Sequence, residues 1–271
     1  MKKFTKKYFI IFFALLIISS SLITLYALDA NEEDAEYTKK VPILMYHHLL
    51  KSDENPYKDN ASVLSVEAFE EHMKLLHDHN FNTITLNELE KFLNGEIKLK
   101  KNSILITFDD GYKSNYTYAY PILKKYNFKA SIFLITSLME DKTTTFNPNA
   151  LQYLSWSEMK EMEKVFEYAS HTHDLHKLKD NKKSFVVVQP KEIVYDDLKK
   201  SKELLNTTSL AYPYGQYNRE TFRILESLGI KMAFTTRSGT VKPGDNMLKL
   251  KRYPISPKID IDKFKKIVGV K

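Results

Sequence analysis

Two short stretches hold the side chains best suited to chemistry. Phe108-Asp109-Asp110-Gly111 closes the apolar run Ser103-Ile104-Leu105-Ile106-Thr107, and farther along comes His171-Thr172-His173-Asp174-Leu175-His176. Adjacent carboxylates can divide two jobs, one binding a cation and the other accepting a proton. Imidazoles then complete a three-ligand set that leaves positions open for water and substrate. Each stretch has a plainer reading by itself. Asp109-Asp110 could merely complement a helix dipole, and His-rich surface stretches are ordinary in a Lys-rich chain. It is the pairing that points to a divalent-metal hydrolase.

Spacing narrows the histidines only partly. His171 and His176 are five apart, which is wrong for one helix face, so both reach one ion only from a loop that turns back on itself. His173 stands between them and reads as a bystander. Where extended backbone persists it shares a face with His171, so alternation alone does not exclude it.

The elements that must position these residues follow from hydrophobic patterning. From Val41 onward short apolar runs alternate with helical patterns, as in βα units around a largely parallel sheet, and no internal repeat is present. The expected strands are Val41 to Tyr46, Thr83 to Thr85, Ser103 to Phe108, Ala130 to Ile135, Phe166 to Ser170, Ser209 to Tyr212 and Met232 to Thr235. Ser65 is expected to cap a helix carrying Val66, Phe69, Met73 and Leu76, and another helix runs from Asn218 to a stop at Gly229. Asp109 and Asp110 follow one strand, His171 another, and Pro213-Tyr214-Gly215 a third. In a parallel barrel all strand ends meet at one rim, where such folds place their active sites.

The chain of 271 residues is 43% hydrophobic, enough for one large α/β domain, which we favour over two small ones. The net charge is +7; six of the 41 Lys/Arg and five of the 34 Asp/Glu lie in residues 1–40, so the remainder carries +6. The basic residues are scattered, with no aromatic-interleaved stripe, which argues against nucleic acid and suits solvated surface or an anionic envelope. Tyr8 to Leu28 is nearly all apolar, with Lys2, Lys3, Lys6 and Lys7 before it and Asp29, Glu32, Glu33, Asp34 and Glu36 after it. Residues 1–28 therefore read as an export signal long enough to remain as a membrane anchor, with the domain outside. Cleavage after Ala27 or Ala30 is the alternative. Residues 29–40 read as a charged linker and 41–271 as the catalytic domain. With no Cys there is neither a disulfide nor a lipid-modified cysteine anchor.

Taken jointly and in order, these motifs resemble the polysaccharide deacetylases of the NodB-homology group, carbohydrate esterase family 4, over about residues 41–256. Thr107-Phe108-Asp109-Asp110-Gly111 is similar to the first family motif, His171 to His176 to the second, and Ala211-Tyr212-Pro213-Tyr214-Gly215 to the third. The Met45-Tyr46-His47 strand and the wide His171-to-His176 spacing look most like the intercellular-adhesin deacetylases, which act on poly-β-1,6-N-acetylglucosamine. The resemblance implies a distorted (β/α) barrel in a single domain. It implies that Asp110, His171 and His176 hold a divalent metal, with zinc first and cobalt, nickel or manganese as alternatives. Asp109 would be the general base, and the Tyr214 N–H would stabilise the oxyanion. Family members often carry Arg at the position of Ala211 to orient the base; Arg237 is a candidate replacement here, a structural salt bridge being its plainer reading. All eight histidines lie at or before His176, so the C-terminal Leu-x-His motif that supplies the proton donor is missing. His47 is the candidate in its place, against a core or supporting role. Tyr112, Tyr212, Tyr214 and Tyr217 lie beside the expected site. The expected partners are an amino-sugar polysaccharide and the cell membrane, the chain acting as a monomer. Competing readings are a peptidoglycan or chitin-like glycan deacetylase, a glycosidase, which needs two carboxylates and no metal, and a non-catalytic sugar-binding protein.

Overall fold

Every residue of the run Ser103–Phe108 is buried, as a strand covered on both faces must be. Its two faces are buried by different partners. Ile104, Ile106 and Phe108 join one core with Phe69, Met73 and Leu76 of a flanking helix. Leu105 joins another with Ile43, Phe133, Ala169, Ala211 and Phe234, contributed by the other strands. This alternation of helix-packed and strand-packed faces is what a curled βα sheet requires.

The computed structural model describes residues 36–270. The expected membrane segment and most of the expected linker lie outside these. In chain order the strands are β1 (Tyr37–Thr38), β2 (Val41–Tyr46), β3 (His48–Leu50), β4 (Val63–Ser65), β5 (Asn82–Thr83), β6 (Leu99–Lys100), β7 (Ser103–Phe108), β8 (Ala130–Leu134), β9 (Phe166–Ser170), β10 (Ser209–Ala211), β11 (Met232–Phe234), β12 (Thr240–Val241) and β13 (Tyr253–Pro254). The main sheet runs β11-β10-β9-β8-β7-β2-β12, with β13 also on β2 and β5 on β7. Its pairings are parallel except β12 on β2. The segment 250–254 spans the two ends of the curled sheet. Leu250 bridges Phe234 of β11, while Tyr253 and Pro254 pair with Leu44 and Met45 of β2. The result is the distorted (β/α) barrel expected, and Arg252 sits in the segment that spans its seam.

The helices begin where their caps say they should. Ser65 Oγ accepts the Ala68 N–H ahead of the helix Val66–Asp78, and Asn218 caps Arg219–Ser227, which stops before Gly229. The expected strands are all present to within two residues, the largest difference being Asn82–Thr83 in place of Thr83 to Thr85. Among the described residues no helix is long and apolar enough to cross a membrane.

One long connection, between β8 and the helix Trp156–Met162, lies against the segment that follows Asp110. Leu154 N–H donates to the Gly111 carbonyl and Lys113 N–H to that of Gln152, each at 2.9 Å. The Lys113 ammonium is buried against Glu158, whose other oxygen accepts the Ser155 N–H at 2.8 Å and so closes a capping box. Removing one partner of a buried ion pair strands the other charge, at about 3–5 kcal/mol. Glu158→Ala should therefore lose stability of that order in urea unfolding. Asp78→Ala, which breaks the exposed Lys74–Asp78 pair, should leave it nearly unchanged. Equal effects would show that the Lys113–Glu158 pair does not hold this connection.

Candidate active site

Three strand ends meet at one rim, and each turns through a left-handed residue. After β7 comes Asp110 at φ 72°, after β9 Thr172 at φ 78°, and after β10 Tyr214 at φ 57°. Such backbone costs a non-glycine residue free energy, most of all a β-branched one like Thr172, and persists only where the surroundings over-determine it. They do so here. Thr172 is wholly buried, its N–H donates to Ser170 Oγ at 3.1 Å, and its carbonyl accepts from Thr136 N–H at 3.2 Å. Behind Asp110, Gly111 packs so closely on Leu134 that a Cβ there would lie 2.5 Å from Leu134 Cδ2.

The first cluster the rim assembles is Asp110, His171 and His176, with one ligand atom from each within 4.8 Å of the others. His171 Nε2 and His176 Nε2 each lie 3.4 Å from Asp110 Oδ1. Two donors about 2.0–2.1 Å from a tetrahedral ion stand about 3.3 Å apart, so the spacing fits one small divalent cation. The donors are also free to bind. His171 Nδ1 lies 2.8 Å from the Ala211 carbonyl, which takes its N–H and leaves Nε2 with its lone pair. Asp110 Oδ1 is buried with no hydrogen-bond partner, a cost that a cation would remove. Burial would raise the pKa of Asp110, but the imidazoles gathered around it outweigh burial and hold it well below the usual carboxylate range. Burial pushes His176 down to about 4, so this ring is neutral, as an imidazole must be to bind a cation.

A loop brings His176 back to His171, as their spacing required. Asp197, on the helix Lys191–Leu205, accepts the N–H groups of His173 and Asp174 at 2.8 and 2.6 Å. The His171 and His176 ring centroids come within 4.6 Å. The His173 ring points away and bonds Thr136 Oγ1 at 2.9 Å. It does not belong to the cluster.

The second cluster surrounds Asp109, which is 2% exposed. Arg252 grips it through two parallel bonds, Nη1 to Oδ1 and Nη2 to Oδ2, each 2.7 Å. The guanidinium also donates to Thr107 Oγ1 at 3.2 Å and to the Thr235 carbonyl at 3.1 Å, and it lies 5.3 and 5.9 Å from the ring centroids of Phe133 and Phe234. Burial alone would raise the pKa of Asp109, yet Arg252 and His171 outweigh it and keep the carboxyl below its usual range. Arg237 does not orient this carboxylate. Its side chain is exposed and forms no ion pair with a described residue, while its carbonyl accepts the Arg252 N–H at 2.9 Å. The arginine that orients Asp109 thus comes from the seam rather than from β10, where the small Ala211 belongs to the same buried core as Phe133 and Phe234.

The third strand end supplies a backbone donor. Gly215 N–H and Gln216 N–H are consumed within the turn by the Tyr212 and Pro213 carbonyls, at 2.8 and 3.1 Å. The Tyr214 N–H donates to none of the described residues. The Tyr214 ring lies 4.5 Å from that of His176 and is 40% exposed. Around the opening stand Tyr112, stacked on Tyr153 at 5.4 Å, and half-buried His47. Asn115 Nδ2 holds the His47 carbonyl at 2.9 Å. Its neighbour His48 is buried, bonded to Ser114 Oγ at 2.7 Å, stacked on Tyr112, and kept neutral by burial with a pKa of about 4. Tyr212, expected beside the site, is fully buried beneath it, with its hydroxyl on the Leu248 carbonyl.

Sequence reasoning missed Arg252, Asp197 and Tyr153. Only Arg252 had left a signal. The chain holds four Arg among its 41 basic residues, and Arg is what a buried bidentate partner of a carboxylate requires.

Comparison with known proteins agrees with this geometry. Residues 96–233 match the polysaccharide deacetylase family. Two relatives bear the name poly-beta-1,6-N-acetyl-D-glucosamine N-deacetylase. One, from Staphylococcus epidermidis, is 33% identical over 248 residues, covering 84% of each chain. The other, from Staphylococcus aureus, is 35% identical over 205 residues, covering 73% of this chain and 69% of that one. Among solved structures, the Streptococcus pyogenes deacetylase PplD in complex with acetate superposes with a TM-score of 0.72 at 28% identity, covering 84% of this chain and 98% of that one. IcaB from Ammonifex degensii gives 0.72 at 27% identity, covering 86% and 97%. With these likenesses over most of its length, the chain belongs to the polysaccharide deacetylase family and is a hydrolytic N-deacetylase.

Proposed function

We propose that this protein removes acetyl groups from an N-acetylglucosamine polymer with the help of a divalent metal, poly-β-1,6-N-acetylglucosamine being the first candidate. It does so on the outer side of the cell membrane, to which its N-terminal segment delivers it. The observation that carries the reading is the division of labour between neighbouring carboxylates. Asp110 faces two histidine nitrogens at ligand spacing, while Asp109 is held by Arg252 as an anion. The names of the staphylococcal relatives support the polymer. The apolar segment in the sequence supports the location.

Asp110, His171 and His176 would hold the cation. Bound there, zinc, or cobalt, nickel or manganese, would lower the pKa of the attacking water and polarise the acetamide carbonyl. Asp109 is ionised and fixed, so it accepts the water's proton as the oxygen adds to the carbonyl carbon. Arg252 keeps both carboxylate oxygens in place without taking the proton itself. The developing oxyanion is met by the Tyr214 N–H, which the left-handed turn after Pro213 presents to the rim at no cost in reorganisation. The leaving amine must gain a proton as the C–N bond breaks. His47, which directly follows β2, is the residue we assign to give it. The products are acetate and a glucosamine residue.

Metal content separates the two carboxylates. Asp109→Asn should retain the metal while losing turnover by about 10²–10⁴-fold, whereas Asp110→Ala, His171→Ala and His176→Ala should each lose metal and activity together. His173→Ala should keep the metal. Elemental analysis of the purified proteins checks this, and a His173→Ala protein as metal-free as His171→Ala would overturn the ligand set.

Proton donation is read from the pH profile. His47→Ala should lower kcat and remove the ionisation that forms the alkaline limb, because that limb reports loss of the donor's proton. A lower kcat with the limb intact would leave His47 a positioning role only. The polymer is settled by acetate release from β-1,6-linked and β-1,4-linked N-acetylglucosamine oligomers, with faster release expected from the former.

A further inference from the structure

Beside the oxyanion turn lies a cleft of about 310 Å³ lined by Lys183, Val187, Gly215, Gln216, Tyr217 and Arg237. It shares Gly215 with the turn itself. Its construction is specific. Gln216 ties the loop of Lys183 to the turn, with Oε1 accepting the Ser184 N–H and Nε2 donating to the Lys182 carbonyl, each at 2.9 Å. The opposite wall approaches so closely that a Cβ on Gly215 would lie 2.3 Å from Thr236 Oγ1. Arg237 is fixed at its backbone, the N–H on Thr235 Oγ1 at 3.2 Å and the carbonyl accepting from Arg252. The two cations therefore come from anchored backbone next to the reacting centre. Neither forms an ion pair with a described residue, and no carboxylate lines the cleft.

The chemistry proposed for the site changes substrate charge. Each turnover replaces a neutral acetamide by an amine that is protonated below its pKa. A polymer sliding past the rim therefore presents neighbours that are neutral where still acetylated and cationic where already processed. We propose that the Lys183 and Arg237 cleft is the subsite for a neighbouring sugar and reads its charge, accepting an N-acetylglucosamine residue and rejecting a glucosaminium one. The inference rests on the N-deacetylase reading above. Its consequence is that one deacetylation suppresses the next on the adjoining sugar, so the amines are spaced along the polymer. Two cations several ångströms from an ammonium in a solvated cleft supply discrimination on the order of fivefold at low salt.

Defined β-1,6-linked trisaccharides test it. One is fully acetylated, and two carry a single glucosamine on either side of an N-acetylglucosamine, all assayed below the pKa of the amine. For the wild-type chain, the glucosamine on one side, and not the other, should raise KM on the order of fivefold at low salt. High salt should abolish the difference. Lys183→Glu/Arg237→Glu should reverse it, read within the variant as the ratio of KM for the glucosamine-bearing trimer to KM for the fully acetylated one. If the acetylated trimer reacts but wild-type and Glu variant show the same preference, the subsite assignment is overturned and the deacetylase reading stands. If no acetylated oligomer reacts, both fall.

Discussion

The buried pairing of Arg252 with Asp109 is the constraint on which the rest of the site depends. It joins the segment spanning the seam of the barrel to the end of a central strand, 143 residues away in sequence. It also fixes the ionisation state of the residue best placed to act as base. Taken as a contribution to stability alone, such a pair is a doubtful gain, because desolvating both charges offsets most of their attraction. Here the guanidinium has further partners in Thr107, Thr235 and two aromatic faces, so four of its five N–H groups are hydrogen-bonded and the carboxylate stays ionised. Asp110 differs in every one of these respects. It has an unpartnered oxygen and two imidazoles at ligand distance. Two adjacent residues of one type are thus given different jobs by their surroundings.

The rim also concentrates backbone strain. Asp110, Thr172 and Tyr214 each follow a strand of the main sheet and each has positive φ. A strand that simply continued would carry its next side chains along the sheet. The left-handed step turns the backbone at the place where a ligand or an N–H must face the opening. The parallel sheet supplies the rigidity that makes this tolerable, for all three strands are fixed by pairing on both sides.

Much of this was legible in the sequence. The apolar runs gave the strands, since a doubly covered strand has little freedom in composition, and the caps at Ser65 and Asn218 marked their helices. The Asp and His residues could be named because their types and placement after strands restrict what they do. What escaped was tertiary. Arg252 lies among lysines in Lys249-Leu250-Lys251-Arg252, and no spacing rule connects it to Asp109. Asp197 reads as one more exposed helix carboxylate until the loop of His173 and Asp174 folds onto it. The left-handed Thr172 contradicts local propensity outright, as strained residues at sites tend to do.

The most direct measurement is the pH–rate profile of Arg252→Met with its metal content determined alongside. Methionine keeps much of the bulk and removes the charge, so burial should dominate and raise the pKa of Asp109, whose base form would then be lost at higher pH. The account predicts a metal-loaded protein with lowered kcat and an acid limb moved toward neutral pH. A metal-loaded variant whose acid limb coincides with that of the wild-type chain would contradict it.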